Sequence, residues 1–405
     1  MIKMRFFNNH IKLDIECILL ALIICVNCVR YMMGITESNL VIYGLYLCFI
    51  GCFLITNYKY ISKTVPRDLG IIIILSMIWT IYAVITGLMG NADTLLQAIK
   101  LLIMLTIAIL IIWMPIEKIL ETMQWSLLVC TVYVVYILTN SDYINTYLSR
   151  GSNYLILSLP IGLILTVMMA RIVCIFFFEF SLKKMWIYIL LCVLYFMALI
   201  KFSGRGSIIF PFIVVIILVM MLSKKNWGKF FLGIVILVLV VYVAFQAFLE
   251  NADPYTVDRM LRLFNQNQRG EEDRWFIWNQ YIEYVIHNGW YIFGGGTGAS
   301  VEQLGFYPHN FYLQMIGEFG ILGILISVYI TIFIVKRELN TCKLIIKMKH
   351  LSDKYLMLHF EIIAGLLYLF LSYMKSFTIY DAGSFFIFIA FTIKICSYFC
   401  KIEKN

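Results

Sequence analysis

Apolar residues along this chain come in long blocks broken by short polar turns, and one long irregular stretch, 250–308, interrupts the series late in the chain. About 20 apolar residues are needed to cross ~30 Å of hydrocarbon at 1.5 Å per helical residue. Blocks of that kind fall at 14–33, 38–57, 69–88, 95–114, 124–140, 154–174, 185–202, 206–222, 229–249, 309–335, 355–374 and 379–400. The pattern predicts an all-α polytopic membrane protein of about 12 transmembrane helices with one large extracytoplasmic loop. Helices 1–9 occupy 1–249, the loop with an interfacial helix occupies 250–308, and helices 10–12 occupy 309–405.

Composition excludes a soluble globule. The 405 residues are 62% hydrophobic and 14% charged, with mean hydropathy +0.90, so too little polar surface remains to coat a core. Charge then orients the chain. Of 32 Lys and Arg, 21 fall in alternate segments that the positive-inside rule assigns to the cytoplasm, and seven fall in the opposite set. Both termini are expected inside, the net charge of +9 is a topology signal, and no nucleic-acid partner is implied. Arg30, Lys100, Lys201 and Lys394 lie within the apolar blocks. For Arg30 and Lys100, a snorkelling or paired structural role stands beside a functional one. The first apolar block has basic residues before it and no small-residue cleavage site, which predicts a retained anchor. The eleven cysteines lie in apolar blocks, or in an inner loop for Cys342, and no disulfide framework is expected. The Cys25, Cys28 pair is expected as helix filling, and no metal and no cofactor are expected.

The basic residues also differ in kind. Inside, 17 of 21 are Lys; outside, six of seven are Arg, namely Arg150, Arg205, Arg259, Arg262, Arg269 and Arg274. A planar guanidinium suits two-point binding of phosphate oxygens, whereas Lys suffices as an anchor. Arg150 sits in the turn Ser149-Arg150-Gly151-Ser152-Asn153, and Arg205 sits between two glycines in Ser203-Gly204-Arg205-Gly206-Ser207. From Asp273 a helix is expected, with Asp273 as N-cap, Asn288-Gly289 as stop, and Trp275, Trp278, Ile282 and Val285 on one interfacial face. Arg274 in its first turn joins the helix dipole in favouring an anion. The acids Glu271-Glu272-Asp273 could hold a divalent metal, but acids before a helix are more often caps.

The glycine cluster at 294–298 either cradles an anion through backbone N–H groups or only makes turns. Pro308-His309-Asn310 opens the next block, in which Asn310, Gln314 and Glu318 follow one another along one face, and Gly317, Gly320 and Gly323 form a stripe for close helix approach. His309 is either structural or a base at a surface to which several arginines return.

These residues resemble the bacterial O-antigen ligase and O-antigen polymerase superfamily in their order: Arg205 on a tight outer turn, Arg274-Trp275 in the large loop, the glycine turn, and His309-Asn310 followed by Glu318-Phe319-Gly320 and Gly323. The motifs cover about 200–325, and the first five blocks resemble the family only in hydropathy. The resemblance implies a fold similar to the metal-independent C-type glycosyltransferases. It implies a site on the outer face of the bacterial cytoplasmic (inner) membrane and a donor glycan carried on undecaprenyl pyrophosphate. Expected partners are that lipid-linked oligosaccharide, membrane lipids, and a chain-length regulator and flippase. Arg205 and Arg274 would take up pyrophosphate charge and His309 would accept the acceptor's proton, with Arg150, Arg259, Arg262, Arg269, Asn310, Gln314 and Glu318 as substrate-binding candidates. Polymerisation of repeat units for O-antigen, capsule or exopolysaccharide is the expected reaction. The alternatives are a ligase that transfers the finished glycan, a transporter of lipid-linked oligosaccharide, and a structural subunit of a synthesis complex.

Overall fold

The structure is a computed structural model that describes residues 3–6, 9–12, 14–33, 40–61, 67–140, 154–179, 181–202, 205–222, 273–347 and 353–404, with isolated positions between 228 and 250. A short antiparallel hairpin, β1 (Lys3–Phe6) and β2 (Asn9–Lys12), opens the chain, and everything after it that is described is helical or turn. The helices are α1 (Ile15–Ile24), α2 (Val26–Met32), α3 (Leu40–Ile61), α4 (Arg67–Met89), α5 (Ala92–Trp113), α6 (Ile116–Thr139) and α7 (Tyr154–Cys174), the last running on through a π turn at Ile175–Glu179. Then come α8 (Leu182–Ile200), α9 (Arg205–Leu222), α10 (Asp273–His287), α11 (Trp290–Phe293), α12 (Ala299–Leu304), α13 (Phe311–Lys347), α14 (Asp353–Tyr373) and α15 (Gly383–Lys404).

Among the described residues, eight helices are long and apolar enough to cross a membrane, or nine if α1 and α2 form one broken span. The first block, expected as a single helix, is bent by 84° where the chain leaves the helix at Cys25. Val41–Asn57 and Gly206–Leu222 are shorter apolar helices, and most of the block 229–249 lies outside the described residues.

Local chemistry sets the helix ends. Asp14 accepts from Glu16 N at the start of α1, and Asn91 Oδ1 accepts from Asp93 N and Thr94 N at 2.9 and 3.0 Å, starting α5 directly after Gly90. Pro115 precedes α6, where a missing N–H costs nothing. The centre of the bundle is α7 and α14, packed on each other, with α8 and α9 on α7 and α15 against α5, α13 and α14. Many large apolar side chains on α4, α8 and the middle of α13 face outward, as a hydrocarbon surround requires.

Two buried charge sites cross-link helices. Arg171, expected only as an inner anchor, makes a two-point pair with Glu361 of α14, with Nη2 to Oε2 at 2.9 Å, and donates through Nη1 to Tyr188 OH at 2.9 Å. Glu16, 1% exposed, accepts from Asn57 Nδ2 at 2.8 Å and Lys118 Nζ at 2.7 Å, tying α1, α3 and α6. Ser384 Oγ reaches Ile24 O, so α15 begins where α1 ends, and the start of α1 and the end of α15 lie at the same end of the bundle.

Candidate functional site

The opposite end gathers the loop between α10 and α13, the segment 374–381 and the tips of α4 and α5. Its anchor is the first third of α13. Asn310 caps that helix, Oδ1 accepting from Tyr312 N and Leu313 N at 3.1 Å each while Nδ2 donates to Met374 O at 3.2 Å. One turn on, Gln314 Oε1 accepts from Ile379 N at 3.0 Å. A further turn on, Glu318 is fully buried. Four donors meet its carboxyl group: Ser300 Oγ at 2.7 Å and Gln314 Nε2 at 3.2 Å on Oε1, and Gly298 N at 3.2 Å and Tyr380 OH on Oε2. Four donors match the acceptor capacity of a carboxylate. Because the Ser300 proton is used on Glu318, Tyr281 OH must donate to Ser300 Oγ, at 2.9 Å.

Asn310, Gln314 and Glu318 therefore share a face, as expected, but the structure bonds their polar atoms to the protein itself. They hold the glycine turn and the 374–381 segment against α13, which is a bracing role and leaves none of those bonded atoms pointing at a substrate. The glycine turn presents one N–H, that of Gly298, to a carboxyl group, and it is the chain's own Glu318.

The glycines have a second use. Helix α13 is interrupted at Gly320, φ 59° and ψ −146°, a backbone region open to glycine alone. The break lets Gly295 N and Gly296 N donate to Gly317 O and Glu318 O at 2.8 and 3.0 Å. A Cβ on Gly317 would lie 2.0 Å from Tyr281 OH, and one on Gly320 would lie 2.5 Å from Ile292 O. The expected glycine stripe does admit close neighbours at Gly317, which meets α10, and at Gly320, which meets α11 and the turn after it, whereas Gly323 is crowded by Met315 and Phe319 of α13 itself.

Helices α4 and α5 complete the support, although nothing in their sequence apart from Lys100 marked them. Thr86 Oγ1 lies 3.0 Å from Thr297 Oγ1, Thr297 Oγ1 donates to Ala83 O at 2.8 Å, Tyr82 OH reaches Phe293 O, and Gln97 Nε2 donates to Tyr307 OH at 2.8 Å. Burial pushes the Tyr281 and Tyr307 phenols above their usual range, with Glu318 adding to it, so both stay protonated. Lys100 is paired: its Nζ is 2.6 Å from Asp381 Oδ1. Burial opposes ionisation of Asp381, but the Lys100 ammonium outweighs it and holds the carboxyl below the usual carboxylate range, with Arg30 contributing.

His309 stands at the rim of this frame. Among the described residues it is the one non-glycine with positive φ, 51°, a conformation His tolerates better than most residues but which still carries strain. Its Nδ1 lies 3.3 Å from Ser376 O. A carbonyl only accepts, so the proton is on Nδ1 and the basic lone pair is on Nε2.

Two neighbouring residues contact the arginine-bearing helices. Trp278 Nε1 donates to Pro308 O at 2.7 Å, and Arg274 lies one turn before Trp278 on α10. Lys375, next to the Ser376 that faces His309, has its Nζ 5.7 Å from the ring of Phe210, and Arg205 is the first residue of the same helix, α9. The starts of α9 and α10 and His309 are thereby brought to one end of the bundle by backbone placement. Arg150, Arg259, Arg262, Arg269, Glu271 and Glu272 lie outside the described residues. Helix α10 begins at Asp273, so that residue is within the helix and not its cap, and Gly289, φ 69°, ends it as expected. The expected aromatic face divides: Trp278 and Val285 turn inward beside Tyr281, while Trp275 and Ile282 are exposed.

Residues 190–328 match the family model described as O-antigen ligase. The match, over about a third of the chain, supports the resemblance to the O-antigen ligase and polymerase superfamily. No curated protein matches the chain. The O-antigen ligase match takes in α9, α10, the glycine turn, His309 and Glu318, and it points to glycosyltransferase-like chemistry on lipid-linked glycans in a membrane. It stops short of Ser376 and Tyr380, and it begins after Thr86 and Gln97. Those four residues fix the site's geometry from outside the matched segment, and no local pattern could have revealed them.

Proposed function

We propose that this protein is a glycan polymerase that joins repeat units carried on undecaprenyl pyrophosphate. The acceptor sugar's hydroxyl oxygen attacks the anomeric carbon of the donor, the carbon–oxygen bond to pyrophosphate breaks, and its electron pair stays on the phosphate oxygen. His309 Nε2 accepts the hydroxyl proton. Arg205 and Arg274 take up charge on the leaving pyrophosphate, and Lys375, on the segment that bonds His309, adds a further cation at this end. Arg150, Arg259, Arg262 and Arg269 extend the anionic grip along the carrier, while Asn310, Gln314 and Glu318 act as positioning residues. The single observation that carries this reading is His309, in a left-handed conformation with Nδ1 beside the Ser376 carbonyl, at the end of the bundle where α9 and α10, whose first turns bear arginine, begin.

The reading includes 12 spans, one large outer loop, a C-type glycosyltransferase-like architecture, cytoplasmic termini and a site on the outer face of the inner membrane. Its support is the Lys and Arg distribution and the separation of His309 from the chain ends within the bundle. No metal takes part in the proposed steps. Ligase activity is the second reading, favoured by the description of the matched family. Both are tested by one assay: purified protein with lipid-linked repeat units, without nucleotide or metal. A ladder of longer lipid-linked products supports polymerisation, and transfer only to an added lipid acceptor supports ligation. Flipping of labelled lipid in liposomes without chain growth would make it a transporter. Full activity in Arg205→Ala, Arg274→Ala and His309→Ala would overturn the site.

A further inference from the structure

At the end of the bundle away from His309, three helices direct metal-ligating groups at one point. Glu338 and Cys342 are one turn apart on the far part of α13, His359 is on the second turn of α14, and Cys396 is on α15. The ligand atoms of Glu338, Cys342 and His359 all lie within 4.8 Å of one another. His359 Nε2 is 3.5 Å from Glu338 Oε2, and Cys396 Sγ is 3.1 Å from Glu338 Oε1. Tetrahedral zinc with bonds of about 2.0–2.3 Å holds its ligand atoms roughly 3.3–3.8 Å apart, so small side-chain rotations bring Glu338, Cys342 and His359 to coordination distance, and Cys396 adjoins them through Glu338.

A second observation points to a missing ligand. His359 is fully buried, neither of its ring nitrogens has a hydrogen-bond partner, and Glu338 Oε2 has none either. Phe360 and Phe399 enclose the imidazole, each with ring centroids at 5.4 Å. A buried imidazole with both nitrogens unpaired is costly to keep unless something binds it. The other cluster of thiol and acids in the described residues, Asp14, Cys17 and Glu121, differs in this respect. There Lys118 Nζ supplies the cation, 3.2 Å from Asp14 Oδ2 and 2.7 Å from Glu16 Oε2. Beside Glu338, Arg337 sends Nη2 to Ser397 Oγ at 2.7 Å and stacks on Phe333.

We propose that Glu338, Cys342, His359 and Cys396 form a binding site for a divalent cation of the zinc type. Two thiolates, one imidazole and one carboxylate are a closed, structural donor set with no position left for substrate. On binding, the two thiols release their protons to solvent and no redox change occurs. The metal staples α13, α14 and α15 together at the end remote from the glycan chemistry.

The test uses full-length protein in detergent under reducing conditions, stripped with chelator and titrated with Co²⁺. One Co²⁺ per chain is expected, with a thiolate-to-cobalt absorption band and the strong visible bands of tetrahedral cobalt, both lost on adding Zn²⁺. Cys342→Ser and Cys396→Ser should each weaken zinc binding by at least about tenfold, while Cys48→Ser, at an exposed cysteine of α3, leaves it unchanged. Should Cys396→Ser fail to fold, the half-buried Cys342→Ser decides. Absence of a thiolate–cobalt band in the wild type, or a band unaltered in Cys342→Ser and Cys396→Ser, would overturn the site. Glycan transfer plays no part in the readout, so it fails or holds independently of the proposed function.

Discussion

Glu318 separates bracing from substrate binding, because its four donors differ in their freedom to turn. In Glu318→Gln one carboxylate oxygen becomes an NH2 group. If it replaces Oε1, the Ser300 hydroxyl can rotate to accept, but Gln314 Nε2 cannot turn away without releasing Ile379 N from Gln314 Oε1. If it replaces Oε2, the Tyr380 hydroxyl can rotate, but the Gly298 N–H is fixed in the backbone. One or two bonds to a charged group are lost either way, at about 1.5–3 kcal/mol each, or about 2–4 kcal/mol after hydroxyl rearrangement. Glu318→Ala removes the acceptor of Ser300, Gln314 and Tyr380 at a fully buried position, Gly298 N keeping only Tyr380 OH at 3.1 Å, at a cost on the order of 5 kcal/mol. Thermal unfolding in detergent should rank wild type above Gln above Ala, with the Gln variant down by roughly 4 °C or more. Activity should fall in the same order. If both variants unfold within about 1 °C of wild type yet transfer no glycan, the carboxylate acts on substrate and the bracing role is wrong.

His309→Asn tolerates the left-handed backbone but lacks the base, so kcat should drop by about 10²–10⁴ with little change in Tm; a drop in Tm without one in kcat would contradict the assignment. Gly317→Ala places a methyl group against Tyr281 OH and should cost about 1–3 kcal/mol by overpacking, partly recovered in Gly317→Ala with Tyr281→Phe, as read by unfolding. Removing one partner of the buried Arg171–Glu361 pair, as in Glu361→Ala, should destabilise by about 3–5 kcal/mol, larger than the effect of changing the exposed Lys184. Asp381 ionises more readily folded than unfolded, so its contribution is present above an ordinary carboxylate pKa of about 3.9 and is lost as pH falls through the lower folded value. Stability measured against pH should lose that acid limb in Asp381→Asn, and an unchanged limb would remove the Lys100 pair from the account.

The apolar blocks made most helices legible, since hydrocarbon-length runs leave the backbone no alternative but to bond within itself. The start of α13 was legible too, through Pro308 and the capping Asn310. Periodicity was less reliable within α10, where a face built on Trp275 and Ile282 missed Tyr281, the residue whose hydroxyl reaches Ser300. What could not be read was long-range pairing. Thr86, Gln97 and Arg171 look like ordinary membrane-helix residues until Thr297, Tyr307 and Glu361 arrive from more than 180 positions away. The break at Gly320 was hidden for the same reason, because its cause is the backbone of 292–294 pressing from outside the helix.

Because the glycine turn is bonded to Thr86 and Ala83 and its neighbour Tyr307 to Gln97, the shape of this end is not portable as a cassette. A chimera that exchanges residues 273–310 with those of a relative would arrive without its docking partners. Transplanting the hairpin 82–97 along with it is the graft that should keep its shape.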